Sequence, residues 1–150
     1  MVAVLCGSVL AGCADTTIVG SPVAADHAHP VPHLDISPAC AHAPATVEQF
    51  TGSWMTGSSG AVYFGMDGLA VIQERAVGQR GTWSYQPLSP NGPCVLRMRW
   101  TESFVSGMPD RPIEPQSEWV LQPLSVTPTE FNLRSVSRPG SPDTHWWRWK

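Results

Sequence analysis

The stretch Cys94–Thr101 reads Cys-Val-Leu-Arg-Met-Arg-Trp-Thr, and it decides the fold class of this chain. Every second side chain is apolar, and arginines stand in the row between. Successive side chains of a β-strand point to opposite faces, so this period predicts a strand with one face against a core and the other toward solvent. The inward row is Cys94, Leu96, Met98 and Trp100, and the outward row is Val95, Arg97, Arg99 and Thr101.

Short β-rich runs flank this strand on both sides. Asp67-Gly68 separates two of them and is a strong hairpin signal. The only helical signal is one turn at residues 46–50, with Thr46 as its N-cap. Seven or eight short strands predict an all-β fold, a small antiparallel up-and-down barrel or strongly curled sheet, because closure removes exposed edges. The other predicted strands are Gly52–Thr56, Ala61–Phe64, Leu69–Arg75, Gly81–Tyr85, Trp119–Leu121, Phe131–Arg134 and His145–Trp149.

Residues 102–117 are rich in proline and are predicted to form a long loop that offers a contact surface. The carboxylates in and beside it are either a catalytic pair for glycoside hydrolysis or solvated loop charges, and we favour the second reading. Asp143 and His145 are close in sequence, but no Gly-x-Ser-x-Gly elbow accompanies them. We therefore expect no enzyme, no metal and no cofactor. The loop carboxylates are Glu102, Asp110, Glu114 and Glu118.

Seven tryptophans are many for a domain of this size. Four fall on inward strand positions, where they either fill a core or line a cavity. The tryptophans at 146, 147 and 149 cannot all face inward on one strand, so we expect at least one to be exposed and able to stack on a sugar, enter a membrane interface or anchor a partner. The alternative is that they are buried under the amino-terminal segment. The candidate ligand or partner contacts are Trp83, Met98, Trp100, Trp146, Trp147 and Trp149.

The apolar run Val2–Leu10 ends in Leu10-Ala11-Gly12-Cys13, which resembles the lipobox of bacterial lipoproteins. The resemblance implies that residues 1–12 are a signal peptide and that Cys13 carries the lipid. Ala14 after the cysteine implies the outer membrane, facing the periplasm, in a Gram-negative cell. The positive n-region of a signal peptide is missing, so we expect the true start to lie upstream. The alternative is a short buried strand that ends in Gly-Cys.

Residues 13–45 are rich in Ala, Pro, Ser and His and show no period, which predicts a disordered tether before a domain at 46–150. A solvated tether is favoured over a metal site built from its histidines. Removal of Cys6 and lipidation of Cys13 leave Cys40 and Cys94, which form a disulfide in an oxidising compartment or remain two buried thiols. The tether histidines are His27, His29, His33 and His42.

Several short motifs resemble small bacterial lipocalin-like domains: Gly52-Ser53-Trp54, Phe64-x-x-Asp67-Gly68 and Gly81-Thr82-Trp83-Ser84-Tyr85, followed by Trp119–Leu121 and Leu133-Arg134. The resemblance spans about residues 50–136. It implies an up-and-down β-barrel of the kind often carried by exported lipoproteins.

The net charge of -3 and the absence of a basic stripe exclude an electrostatic footprint for nucleic acid. No apolar run approaches the roughly 20 residues of a membrane-spanning helix. The sequence therefore predicts a membrane-anchored envelope lipoprotein that acts as a binding module or accessory subunit of a cell-envelope assembly, with an envelope protein as partner. The alternative is a lipocalin-type carrier of a small apolar ligand, or an inhibitor of a protease or lysozyme.

Overall fold

The computed structural model describes residues 33–41, 45–57 and 59–149. Almost all regular structure is β, as predicted. The elements are β1 (Asp35–Ile36), a 3-10 turn (Pro38–Cys40), α1 (Val47–Phe50), β2 (Gly52–Met55), β3 (Gly60–Phe64), β4 (Leu69–Glu74), β5 (Val77–Pro87), β6 (Cys94–Val105), β7 (Arg111–Val126), β8 (Glu130–Ser135) and β9 (Thr144–Arg148).

Strands β2 to β9 form a closed, antiparallel, up-and-down barrel. Each strand pairs with the next along the chain. Closure comes from β9, which pairs with β2 at Trp54↔Arg148 and Met55↔Trp147. The predicted barrel is therefore confirmed, and β1 adds a short parallel pairing to β5 at Asp35↔Ser84.

The alternation in β6 is confirmed. Leu96, Met98 and Trp100 are fully buried, whereas Arg99 on the other row is exposed. Val95 is fully buried as well, although it belongs to the outward row. The inward row of β6 thus supplies one wall of the core.

The prediction of a long loop at residues 102–117 is wrong. Strand β6 continues to Val105 and β7 begins at Arg111, so only residues 106–110 connect them. The register passes from Trp100↔Ser117 to Glu102↔Pro112, which leaves residues 113–116 outside the ladder as an irregularity. Proline lacks an N–H donor and is tolerated at such bulges, which is why a proline-rich sequence can still be a strand.

The tether boundary at residue 45 is also wrong, because residues 33–41 belong to the folded domain. Cys40 is fully buried and forms the predicted disulfide with Cys94, with the Cα atoms 5.7 Å apart. Gly68 has φ +87°, and a Cβ there would lie 2.7 Å from the backbone carbon of His33. Glycine at this turn lets the segment lie directly on the β3–β4 hairpin. Cys13 and the other tether histidines lie outside the described residues.

Aromatic rings fill one end of the barrel, which we call the closed end. The rings of Trp54 and Phe131 lie 3.7 Å apart, and Phe50 from α1 packs edge-on against Phe131 at 5.2 Å. The Arg148 guanidinium lies 3.9 Å from the centroid of the Trp54 ring. It also donates hydrogen bonds to the carbonyls of Gln49, Thr51 and Pro128, which ties α1 to the barrel.

Candidate binding site at the open end of the barrel

The opposite end, which we call the open end, contains two neighbouring cavities. The four turns that join β2–β3, β4–β5, β6–β7 and β8–β9 lie there, because consecutive strands run in opposite directions. The cavities have volumes of about 290 Å³ and about 490 Å³. Both are lined by Ile72 of β4 and Trp119 of β7, so they share an apolar floor.

The smaller cavity, which we call the serine cavity, has a wide apolar floor and a hydroxyl-rich rim. Leu121 and Trp146 extend the floor, and Arg138 stands on the rim. The β8–β9 loop that carries the rim is fixed by its own hydrogen bonds. The Arg138 amide donates to Ser135 Oγ at 3.1 Å, and the Ser141 amide donates to the Arg138 carbonyl at 3.2 Å. The rim hydroxyls belong to Thr56, Ser135, Ser137, Ser141 and Thr144.

The larger cavity, which we call the methionine cavity, is bordered by exposed apolar side chains. Val77 and Val105 are direct neighbours across β5 and β6, and the Met108 amide donates to the Val105 carbonyl at 2.9 Å. These three side chains are 53%, 38% and 59% exposed. Glu74 and Arg111 also line this cavity, so its rim carries both charges.

Two buried side-chain polar atoms in the described part of the chain have no protein hydrogen-bond partner: Gln79 Oε1 and Trp100 Nε1. Gln79 lines the methionine cavity, and Trp100 packs edge-on against Trp119 with ring centroids 5.4 Å apart. Buried polar atoms are nearly always paired. The Gln79 amide oxygen can therefore accept a hydrogen bond from a ligand in that cavity.

The residues predicted as ligand or partner contacts lie in different environments. Trp83, Met98 and Trp100 are buried in the core and line neither open-end cavity, which agrees with the core-filling alternative for the inward tryptophans. Trp83 Nε1 instead donates to the Gly65 carbonyl at 2.8 Å. Trp146 is inward and lines the serine cavity.

The carboxyl-terminal tryptophans divide between the two faces of β9, as predicted. Trp146 faces the core, whereas Trp147 contacts His145 on the outer face at 5.9 Å between ring centroids. Trp149 is 54% exposed, which confirms that at least one of the three is accessible to solvent.

Three of the four carboxylates considered for glycoside hydrolysis form ion pairs with arginines. Glu102 and Asp110 both lie near Arg80, at 3.6 and 2.6 Å. Glu118 pairs with Arg97 at 3.6 Å. No group of three or more metal-ligating side chains occurs among residues 33–41, 45–57 and 59–149.

Asp143 and His145 are likewise held by separate partners. Asp143 accepts two hydrogen bonds from Arg134, and His145 lies 3.4 Å from Glu130. The Arg134 pKa is raised, first by its hydrogen bond with Asp143 and then by the carboxylate charge.

Ile72, Trp119 and Arg138 are site residues that the sequence did not identify. Trp119 was assigned to the interior, but its height along the barrel axis depends on the register with β6. Arg138 lies in a connection without a recognisable motif, and only the serines around it distinguish that loop.

No family model matches the chain, and neither the curated proteins nor the solved structures contain a match. In the described ranges, no helix has the length and apolar character needed to cross a bilayer.

Proposed function

We propose that this protein is an exported, lipid-anchored binding protein that holds a small apolar or amphipathic ligand in the open end of its barrel. The observation that carries the proposal is the apolar floor of Ile72 and Trp119 beneath two cavities of about 290 and 490 Å³. Ligand sites in proteins are concave, mostly apolar, equipped with a few polar groups and roughly 300–1,000 Å³ in volume.

Exposed apolar surface around the methionine cavity supports the same proposal. Val77, Val105 and Met108 border one cavity and expose at least 38% of their surface. Burial of apolar area yields about 25 cal/mol per Å². A ligand that covers these side chains gains affinity without a rearrangement of the core.

Two features support export and anchoring. The Cys40–Cys94 disulfide is typical of oxidising compartments. Leu10–Cys13 resembles a lipobox, although it lies outside the described residues. In this proposal the lipid on Cys13 holds the protein at the cell envelope, on the periplasmic side of the outer membrane in a Gram-negative cell.

The second candidate function is an accessory subunit of an envelope assembly. The observation that favours it is the same apolar border of Val77, Val105 and Met108, because a protein partner can also cover it. The two functions predict different contacts. A small ligand enters the open end as far as Ile72, whereas a protein partner contacts only the border of Val77, Val105 and Met108.

Titration with an uncharged fluorescent acyl probe tests ligand binding. The sample is the full chain with Cys13→Ser, which removes the need for detergent. Ile72→Arg places a charge in the apolar floor and should weaken binding about tenfold or more. Val71→Arg is the matched control, because Val71 is the neighbouring residue on the outer face of β4. Ser141→Trp should block the serine cavity from its exposed rim.

Equal binding by the Ile72→Arg and Val71→Arg variants would contradict the proposed site, provided that both variants melt like the parent. Retention of the Cys13→Ser chain in the membrane fraction would contradict the anchor. For the second candidate, a protein captured from envelope extract by the parent should be lost with Met108→Asp and retained with Ile72→Arg.

A further inference from the structure

We infer that the ligand is an amphiphile with an anionic head group, which Arg138 binds in the serine cavity while the apolar chain crosses Ile72 and Trp119 toward the methionine cavity. The inference rests on the proposed function and names the chemical class of its ligand. Three observations carry it: the charges of the two cavities, the pairing of the nearby arginines and the orientation of the rim hydroxyls.

The serine cavity is positively charged. Arg138 is its only charged lining residue in the part of the chain that the structure describes. The methionine cavity contains Glu74, whose carboxylate accepts a hydrogen bond from Ser59 Oγ at 3.0 Å. Arg111 also lines the methionine cavity, which therefore carries both charges, whereas the serine cavity carries only a positive charge that attracts a negative head group.

The nearest acid in sequence does not neutralise Arg138. Asp143 accepts hydrogen bonds from Arg134 Nε and Nη2, both at 3.1 Å, in a bidentate pair. Among the described residues, no carboxylate lies within ion-pair distance of Arg138. Its guanidinium thus keeps its five donors for a ligand, in a planar fork that matches a carboxylate or phosphate.

The rim hydroxyls are arranged as donors. Ser135 Oγ accepts the Arg138 amide hydrogen at 3.1 Å, and Ser137 Oγ accepts the Val120 amide hydrogen at 3.2 Å. A hydroxyl has one hydrogen to donate besides its lone pairs. Because backbone amides already occupy an acceptor position on each oxygen, both hydroxyls are suited to donate to an oxyanion beside Arg138.

The apolar part of the ligand has a defined direction. Ile72 and Trp119 line both cavities and connect them. Beyond them stand the exposed side chains of Val77, Val105 and Met108. A chain that starts at Arg138 can therefore cover the shared floor and then the apolar border, so that head and tail are bound at opposite sides of the open end.

Calorimetric titration with decanoate, decanol and decylamine tests the inference, since these probes share one chain and differ in head-group charge. Decyl phosphate is added to distinguish a carboxylate from a phosphate head group. We expect the anions to bind about tenfold more tightly than decanol, and decylamine to bind least. Arg138→Ala should remove the preference for anions and leave decanol unchanged. Arg134→Ala is the matched control, because its guanidinium is engaged by Asp143.

The outcomes separate the inference from the proposed function. Equal binding of decanol and decanoate, with both reduced by Ile72→Arg, would overturn the anionic head group and leave the site intact. A preference for anions that survives Arg138→Ala but disappears with Arg134→Ala would move the head group outside the serine cavity and also overturn the inference. No binding of any of these probes would contradict both proposals.

Discussion

The two ends of the barrel contain the same kinds of residue. They differ in how completely the apolar side chains are packed and the polar groups are hydrogen-bonded or ion-paired. At the closed end, Trp54 and Phe131 are in ring contact and Arg148 donates to three backbone carbonyls. At the open end, Trp119 is partly exposed and Arg138 has no ion pair among the described residues. A tryptophan and an arginine thus act together to seal one end, and the equivalent residue types face a cavity at the other.

This difference predicts that stability and the proposed ligand binding depend on opposite ends of one small domain. Fully packed rings and paired donors contribute to the free energy of folding. Unpaired donors and exposed apolar side chains contribute little to it and are available to a ligand. Substitutions at the closed end should therefore affect unfolding, and those at the open end should affect ligand affinity.

The largest effect on stability is expected for Trp54→Ala. Its ring is fully buried, and its Nε1 donates to the Phe50 carbonyl at 2.6 Å. Truncation leaves a cavity and should lower the free energy of unfolding by about 3–5 kcal/mol, as measured by urea denaturation. Trp119→Ala at the open end is the comparison and should cost clearly less. Equal losses would remove the distinction between the ends.

A smaller loss is expected for Arg148→Met. The variant keeps apolar volume but loses the contact over the Trp54 ring and the hydrogen bonds to Gln49, Thr51 and Pro128. Burial lowers the pKa of the Arg148 guanidinium, because desolvation disfavours its charge. We expect a loss of about 2 kcal/mol. For Arg138→Met, the free energy of unfolding should change by no more than about 0.5 kcal/mol. A loss as large as that of Arg148→Met would contradict the difference between the two ends.

Alkaline pH should weaken the closed end selectively. Tyr85 packs against Phe50 at 5.0 Å, and burial raises its pKa to about 12, from an ordinary value of 10.0. The folded state therefore holds the phenolic proton more tightly than the unfolded state. The contribution of protonated Tyr85 to the free energy of unfolding is complete below pH 10.0. It is lost as the pH rises toward about 12, by roughly 2 kcal/mol in all.

The pH dependence of urea denaturation measures this effect. Tyr85→Phe should remove the decrease in stability above pH 10.0. Tyr63→Phe is the control, because Tyr63 is 43% exposed on the outer face. An unchanged slope in the Tyr85→Phe variant would assign the alkaline transition to another group.

Much of the fold could be predicted from local patterns. The alternation at Cys94–Trp100 identified an inward face, and Asp67-Gly68 identified a hairpin, because both signals depend on neighbouring residues. The region around Pro112 and Pro115 was misread, since a proline signals a break unless the partner strand provides a bulge. That information lies in the register with β6 and not in the segment itself.

The candidate site was less accessible to prediction for a related reason. A period of two distinguishes the inside of a barrel from the outside, but not the height of a residue along the barrel axis. Trp100 and Trp119 both belong to inward rows, yet the first is sealed in the core and the second lines the cavities. Height depends on how all eight strands are staggered.

The sequence by itself determined the all-β class and the inward rows, because strand periodicity is a local property. It offered the Cys40–Cys94 disulfide as one of two alternatives, and the structure shows the disulfide. Only the tertiary structure decided which end is closed by Arg148, where residues 33–41 attach and which side chains meet at Ile72. Those features need contacts between residues that are distant in the chain, such as Arg148 with Gln49. Barrel closure and register, which no single segment encodes, bring them together.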